Sequence, residues 1–459
     1  MSTSYADFLA SKRAVTSPAE FEPSRAINPM AKPHQRRVIE WALRRGRSAI
    51  FAGTGLGKSL MEIEWASHVA GHSGGDVLIL TPLAVGPQMV REGEKFGIEC
   101  RTAKSQADVR PGITVTNYER LHHFDPSRFR GIVIDESSVL KSFEGTVRKQ
   151  ITEFASGIPY RLSATATPAP NDLIELTNQS EFLDVMSGKE IIALFFTQDG
   201  NTTHHWRLKG HAHAPFWRWL ASWAVAIRKP SDIGESDEGY DLPPLNIHPV
   251  VVHSNPLPGY LIPTEASGLA ESRAARRDSL AERVAICAEL ANATAEPFLI
   301  WCDLNAESEA LARSIPGSVE VRGSDPAEKK ESSLLGFIDG RIRVLISKPS
   351  ICGWGLNLQH CHRMAFVGLS YSFEAYYQAI RRCWRFGQTR PVEVHVITSE
   401  AEGQVVDAIR RKETQADAMF AEIVSHMDGL SLGRSGRVEM DYSPSVDMRI
   451  PRWMEAARA

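Results

Sequence analysis

The chain has 459 residues, 43% of them hydrophobic and 23% charged, with a formal net charge of −3. That length exceeds one ordinary core, so two or three domains are expected, with the composition of a globular protein. The near-neutral charge excludes a surface coated with basic residues, no apolar run reaches the ~18 residues of a membrane span, and the opening MSTSYADFLASKR lacks an apolar signal core.

Pro33 to Arg45 reads as a helix and Ser48-Ala49-Ile50-Phe51 as a short buried strand. AGTGLGKS follows, from Ala52 to Ser59, before the helical Leu60 to Trp65. A Gly-rich turn between strand and helix aims successive backbone N–H groups and a helix N-terminus at one spot, which suits a phosphate. Gly53, Thr54, Gly55, Leu56 and Gly57 form the cradle. Lys58 can reach the β- and γ-phosphates of ATP, and the Ser59 hydroxyl can hold Mg²⁺. The first position carries Ala52 where the pattern has Gly, a methyl small enough to keep the turn.

Further strands are read at Asp76–Leu80, Ile113–Thr116, Gly131–Ile134 and Tyr160–Ser163, with a helix from Val85 to Phe96. The βαβ rhythm with apolar strands predicts a parallel sheet covered on both faces, an α/β fold. Ile132-Val133-Ile134-Asp135-Glu136 is a buried strand ending in two acids. Carboxylates at that edge sit where ligands bind. Asp135 is placed to hold Mg²⁺, and Glu136 to orient and deprotonate an attacking water.

Residues 184–227 are rich in His and Trp: His204, His205, Trp206, His211, His213, Trp217, Trp219 and Trp223. A helix packing Phe216, Trp219, Leu220 and Trp223 on one face is the favoured reading, above a base-stacking wedge or a metal site from the histidines. Prolines at 243, 244, 249, 256, 258 and 263 mark a linker. A second alternating block has strands at Phe298–Trp301, Ile342–Ile346 and Val392–Ile397. His360-Cys361-His362 reads as the start of a strand rather than a metal site. The six cysteines form no CxxC pair, which fits reduced thiols and a cytoplasmic setting.

In chain order, these residues resemble a helicase-type ATPase of superfamily two, nearest the Swi/Snf-like branch. Lys32-Pro33-His34-Gln35 resembles the motif whose Gln reads adenine, so the resemblance gives Gln35 that role. AGTGLGKS resembles motif one. Thr81-Pro82-Leu83 resembles the first nucleic-acid contact motif. Asp135-Glu136-Ser137-Ser138, followed by Lys141, resembles the DEAD/DEAH box, although Ser-Ser departs from its third and fourth positions. Ser163-Ala164-Thr165-Ala166-Thr167-Pro168 resembles motif three, which couples ATP to the nucleic-acid groove, and Asn171 extends the match. Gly353-Trp354-Gly355-Leu356-Asn357-Leu358 resembles motif five, and Gln378 to Gln388 motif six.

The spacing of Arg382 and Arg385 predicts two guanidinia on one helical face, with Gln378 one turn before Arg382. Two such forks suit charge developing on a γ-phosphate. The resemblance implies two RecA-like parallel-sheet domains with ATP and Mg²⁺ between them and a helical, aromatic-rich insertion joining them. The expected division is an N-terminal extension at 1–31, a RecA-like ATP-binding domain at 32–183, an insertion and linker at 184–263, a RecA-like helicase C-terminal domain at 264–424 and a flexible tail at 425–459. Lys58, Glu136, Gln378, Arg382 and Arg385 are the expected catalytic set. Thr81, Pro82, Ser163, Thr165, Gly355 and Asn357 are the expected nucleic-acid and coupling residues. The implied activity is ATP-driven movement along DNA, duplex favoured, with no membrane partner. An RNA helicase and an ATP-switched clamp with slow turnover are the alternatives.

Overall fold

In a computed structural model, the described residues are 21–82, 85–141, 145–169, 172–198, 206–253, 276–352, 357–370 and 372–427. The first sheet is built from β1 (Arg47–Ala52), β2 (Asp76–Thr81), β3 (Cys100–Thr102), β4 (Ile113–Asn117), β5 (Phe129–Asp135) and β6 (Tyr160–Thr165). A small antiparallel pair follows, β7 (Phe196–Gln198) and β8 (Trp206–Leu208), and then β9 (Ala224–Ile227). The strand order in the first sheet is β3-β4-β2-β5-β6-β1-β9, parallel throughout. Strands β1 and β2 are buried along their whole length, as a parallel sheet with helices on both faces requires.

The second sheet contains β10 (Leu245–Val252), β11 (Phe298–Cys302), β12 (Val319–Glu320), β13 (Val344–Ser347), β14 (Arg363–Val367) and β15 (Val392–Ser399). Its order is β10-β15-β14-β11-β13-β12, again all parallel. Side chains alternate across it. Leu299, Trp301, Leu345, Met364 and Phe366 enter one core, while Phe298, Ile300, Val344, Ala365 and Val367 enter the core on the opposite face. The protein is therefore α/β with two large parallel sheets.

Several expectations need correcting. The aromatic stretch does carry the helix His213–Ala221, whose Phe216, Trp217, Trp219 and Leu220 are buried. Trp223 lies past the helix end, buried in the same core. These rings fill the first lobe's core and offer no face for stacking a base, while Trp206 is half-buried on β8. The stretch then ends in β9, which pairs with β1, so the first sheet extends beyond residue 183. The described histidines of the stretch, His211 and His213, belong to no group of three or more His, Cys, Asp or Glu that could hold a metal; His204 and His205 lie outside the described residues.

The Pro-rich linker also contains a strand. β10 runs through Pro249 because it is the edge of its sheet, where a missing N–H costs no ladder bond. His360-Cys361-His362 forms a turn ahead of β14 rather than its start. The helix Gly403–Met427 runs past residue 424 and returns to the first lobe, burying Met419, Phe420, Ile423 and Met427 in that core. Residues 428–459 lie outside the described set. No helix among the described residues is long and apolar enough to cross a membrane.

Candidate functional site

β1, β5 and β6 lie side by side and end at the same edge, which brings three loops together. After β1 the backbone turns sharply: Gly55 has φ +96° and Gly57, which caps the helix Lys58–Ser73, has φ +82°. Gly57 is doubly required, since a Cβ there would meet Gln35 Nε2 at 2.1 Å. Gln35 donates from Nε2 to Leu56 O at 2.9 Å and accepts from Lys32 N at 2.8 Å. Its amide is thus engaged by the loop and by its own helix start. The Thr54 hydroxyl is buried without a partner in the turn. Lys58 Nζ donates to Ala52 O at 2.9 Å, folded back on the strand end. Burial lowers the Lys58 pKa, while the nearby Glu136, Asp135 and Glu62 oppose that shift. Ser59, half-buried, opens the same helix.

β5 delivers Asp135 to this spot, and Glu136 follows with φ +63°, one of two non-glycine residues at positive φ among those described. Burial pushes Asp135 up to about 6 and Glu136 up to about 7, with Lys58 opposing both. The Glu136 carboxylate is held from two sides. Thr165 Oγ1, at the end of β6, donates to Oε1. Gln378 Nε2, from the second lobe, donates to Oε2 at 3.2 Å. Tyr118, just past β4, donates its hydroxyl to the carbonyl of Asp135 and, at 3.4 Å, to that of Glu136.

Gln378 also accepts at Oε1 from Arg382 Nη2 at 2.7 Å, and Arg382 Nε donates to Gln378 O at 2.9 Å. A continuous hydrogen-bonded chain therefore runs Arg382–Gln378–Glu136–Thr165 across the cleft. Burial, then Arg385, lowers the Arg382 pKa to about 10, while Glu136 and Asp135 oppose them. Arg385 is lowered by burial, with Glu92 of the first lobe acting against it. The expected single helical face is not what joins the arginines. The helix Phe373–Ile380 stops before them, and both lie on the turn that follows. That turn swings to bury Cys383 and is bolted down by Gln388, whose Nε2 donates to Gln359 O, Cys361 O and Cys383 O at 2.8, 3.1 and 3.2 Å. Its Phe386 presses on the Gly-rich turn after β1: a Cβ on Gly55 would meet the Phe386 backbone N at 3.0 Å. Lys141 and Glu374 form an ion pair between the lobes.

The remaining expected residues divide. Thr81 is fully buried, its hydroxyl turned toward Thr116 O at 3.5 Å. Ser163 is buried on β6, and Thr165 is taken up by Glu136. Pro82 is half-buried at the end of β2, and Asn357 is exposed, accepting from Gln359 N at 3.3 Å. Leu83, Asn171 and the motif-five residues Gly353 to Leu356, Gly355 included, lie outside the described residues. Sequence reasoning missed Tyr118 and Glu62. The position of Tyr118 at the carboxyl end of a parallel strand, and of Glu62 one turn after Lys58, were the available signals.

Residues 282–387 match the family model described as helicase conserved C-terminal domain. The chain is similar to putative protein p41 of Acyrthosiphon pisum secondary endosymbiont phage 1, 22% identical over 464 residues that cover 84% of this chain and 96% of that protein. It is also similar to helicase SWR1 of Debaryomyces hansenii, 27% identical over 176 residues, which cover 33% of this chain and 11% of that protein.

Proposed function

We propose that this chain, a helicase-type protein of superfamily two, hydrolyses ATP in the cleft between its two sheets and uses the cycle to move along DNA. The observation that carries the reading is the hydrogen-bonded chain Arg382–Gln378–Glu136–Thr165, which ties the second lobe to the acid above the phosphate loop. The roles follow from position. The loop from Gly53 to Gly57 and Lys58 cradle phosphates. Ser59 and Asp135 would hold Mg²⁺, which would neutralise charge on the phosphates. The buried Thr54 hydroxyl, without a partner in the turn, fits a polar occupant. Glu136 accepts a proton from the attacking water, held in place by Thr165 and Gln378. Arg382 and Arg385 meet the charge that develops on the transferred phosphoryl group, a role worth about 10³–10⁵ in rate. Because Gln378 and Arg382 belong to the second lobe, changes at the nucleotide alter their hold on the first lobe, and that couples hydrolysis to lobe movement.

The polymer would lie against backbone-contacting loops at the carboxyl ends of the strands, including Pro82 and Asn357. Binding is then sequence-tolerant and weakens as salt rises. The expected domain division, with its ATP-binding and helicase C-terminal halves, belongs to the same proposal, as does the adenine role of Gln35, which requires its bond to Leu56 to exchange for one to the base.

The test is ATP turnover in one buffer with linear duplex DNA, single-stranded DNA and RNA. Duplex DNA should stimulate most. Lys58→Ala should lose nucleotide binding and turnover, and Glu136→Gln should bind ATP yet not hydrolyse it. Stimulation by RNA alone would replace DNA as the track. Slow turnover unaffected by any polymer would favour an ATP-switched clamp.

A further inference from the structure

One buried acid in the cleft has no role in the scheme above. Glu62 lies on the helix Lys58–Ser73, one turn after Lys58, and is 0% exposed. No basic or N–H group donates a hydrogen bond to either of its carboxylate oxygens. Its polar surroundings are those proposed for the nucleotide site: burial and the neighbouring Asp135, with which it shares a hydrogen bond, hold its carboxyl well above the usual range, Lys58 opposes them, and it acts in turn on Tyr118.

Glu64, two residues further on the same helix, supplies the contrast. It is equally buried, but it accepts from Asn28 N at 2.9 Å and meets His68 Nε2 at 3.0 Å, with Arg25 at 3.9 Å. A buried glutamate that serves the fold is given basic or N–H partners; Glu62 has instead the carboxyl group of Asp135, a contact that holds only while one of the two acids keeps its proton. A buried carboxyl group whose neighbour is another acid is costly to ionise, and a hydrated divalent cation supplies the charge and the donors that both lack. Around Lys58 there are three carboxylates, those of Glu62, Asp135 and Glu136. Lys58 is the lone ammonium among these, and Arg382 approaches from the second lobe.

Resting on the Mg–ATP reading of this cleft, we propose that Glu62 is a third carboxylate of the metal–nucleotide site, a positioning residue that accepts hydrogen bonds from water bound to the divalent cation. The residue does not touch the reacting atoms. It would orient the hydration shell of a cation that Ser59 and Asp135 would hold, and would offset its charge. Outer-sphere partners of this kind are typically worth 10–100-fold in metal affinity.

The experiment is fluorescence titration of the full-length chain with N-methylanthraniloyl-ADP, first in EDTA and then at increasing Mg²⁺. In Glu62→Gln, which keeps the shape and removes the charge, the Mg²⁺ midpoint should rise about tenfold, while binding in EDTA stays at the wild-type level or tightens. Glu62→Asp should recover part of the shift. Glu62→Leu, an apolar filler of similar volume, should match Glu62→Gln and provides the same reading should the Gln variant fail to fold. Mn²⁺ binding followed by electron paramagnetic resonance, in the presence of ADP, should weaken in parallel. Superimposable Mg²⁺ curves for wild type and the variants would mean that Glu62 is a neutral acid packed on Asp135, and would overturn the proposal while leaving the ATPase reading intact. Failure of the wild-type chain to bind the nucleotide, or equal binding by Lys58→Ala, would overturn both.

Discussion

Gln378 reaches across the cleft to Glu136, with Nε2 at 3.2 Å from Oε2, while its own Oε1 accepts from Arg382. One side-chain amide thus orients the proposed base and an arginine at the same time. Gln378→Ala should lower kcat about 100-fold and leave ATP affinity nearly unchanged, because a displaced base misplaces the water rather than the nucleotide. The pH profile provides an independent check. Glu136 can accept a proton only when ionised, and burial has pushed its pKa up to about 7. kcat/KM should therefore climb with pH through about 7. Removing Gln378 takes a donor away from the ionised form, so this limb should move to higher pH in the variant. A wild-type kcat with an unmoved limb would show that the amide has no hold on the base.

Arg382 and Arg385 should separate from Lys58 in the same way. Lys58 lies among the groups of the first lobe, and its loss should abolish nucleotide binding itself. The arginines arrive from the second lobe, and Arg382→Ala or Arg385→Ala should cut turnover by about 10³-fold or more with a much smaller change in ATP affinity. Arg382→Ala should be the more disruptive, since it also frees Gln378 Oε1. Normal turnover in both variants, measured at saturating ATP, would reduce the turn to a structural clasp.

The Gly-rich turn after β1 and the two acids at the end of β5 were legible because local sequence dictates them. AGTGLGKS needs Gly55 and Gly57 at positive φ, and an apolar strand ending in Asp135-Glu136 must present both acids at a sheet edge. What was illegible depends on partners distant in the chain. Glu136 is held by Gln378, 242 residues away, and nothing local to either residue specifies that bond. β9 was hidden because its four residues gain strand status only by pairing with β1. Pro249 signalled a break, yet an edge strand tolerates it. The helical spacing of Arg382 and Arg385 suggested a shared face, but burial of Cys383 and the three bonds of Gln388 favoured a turn.

Glu296 offers a pH test of stability in the second lobe. Its carboxylate accepts from Arg390 at 2.5 Å and Arg363 at 2.7 Å, which lowers its pKa to about 2. A depressed carboxylate contributes stability above its unfolded pKa, near 4.3, and loses it as pH falls toward the folded value. The site is largely open to solvent, so the effect is small: Glu296→Gln should lower Tm by roughly 1–3 °C at pH 6. The gap between wild type and variant should shrink steadily from pH 4.5 downward in thermal melts. A gap that widens on acidification would contradict the assigned ion pairs.

The helix Gly403–Met427 begins beside the second sheet and ends in the core of the first lobe, where Ile423 is fully buried. Near its crossing, Arg228 pairs with Asp417 at 2.8 Å, and its guanidinium lies 4.6 Å from the centre of the Phe420 ring. The two kinds of contact differ in weight. Truncating a fully buried isoleucine removes apolar contact and leaves a cavity, at a cost of about 2–5 kcal/mol. The Arg228–Asp417 pair is exposed and should be worth about 0–1 kcal/mol. Urea unfolding of Ile423→Ala should therefore show a clear loss of stability, and Arg228→Ala a slight one. If the helix is an integral part of the first lobe, the Ile423→Ala loss should appear in a probe of that lobe, such as the fluorescence of its buried Trp219 and Trp223. A loss below about 1 kcal/mol, or one confined to the second lobe, would mean that the helix rests on the first lobe without being built into it.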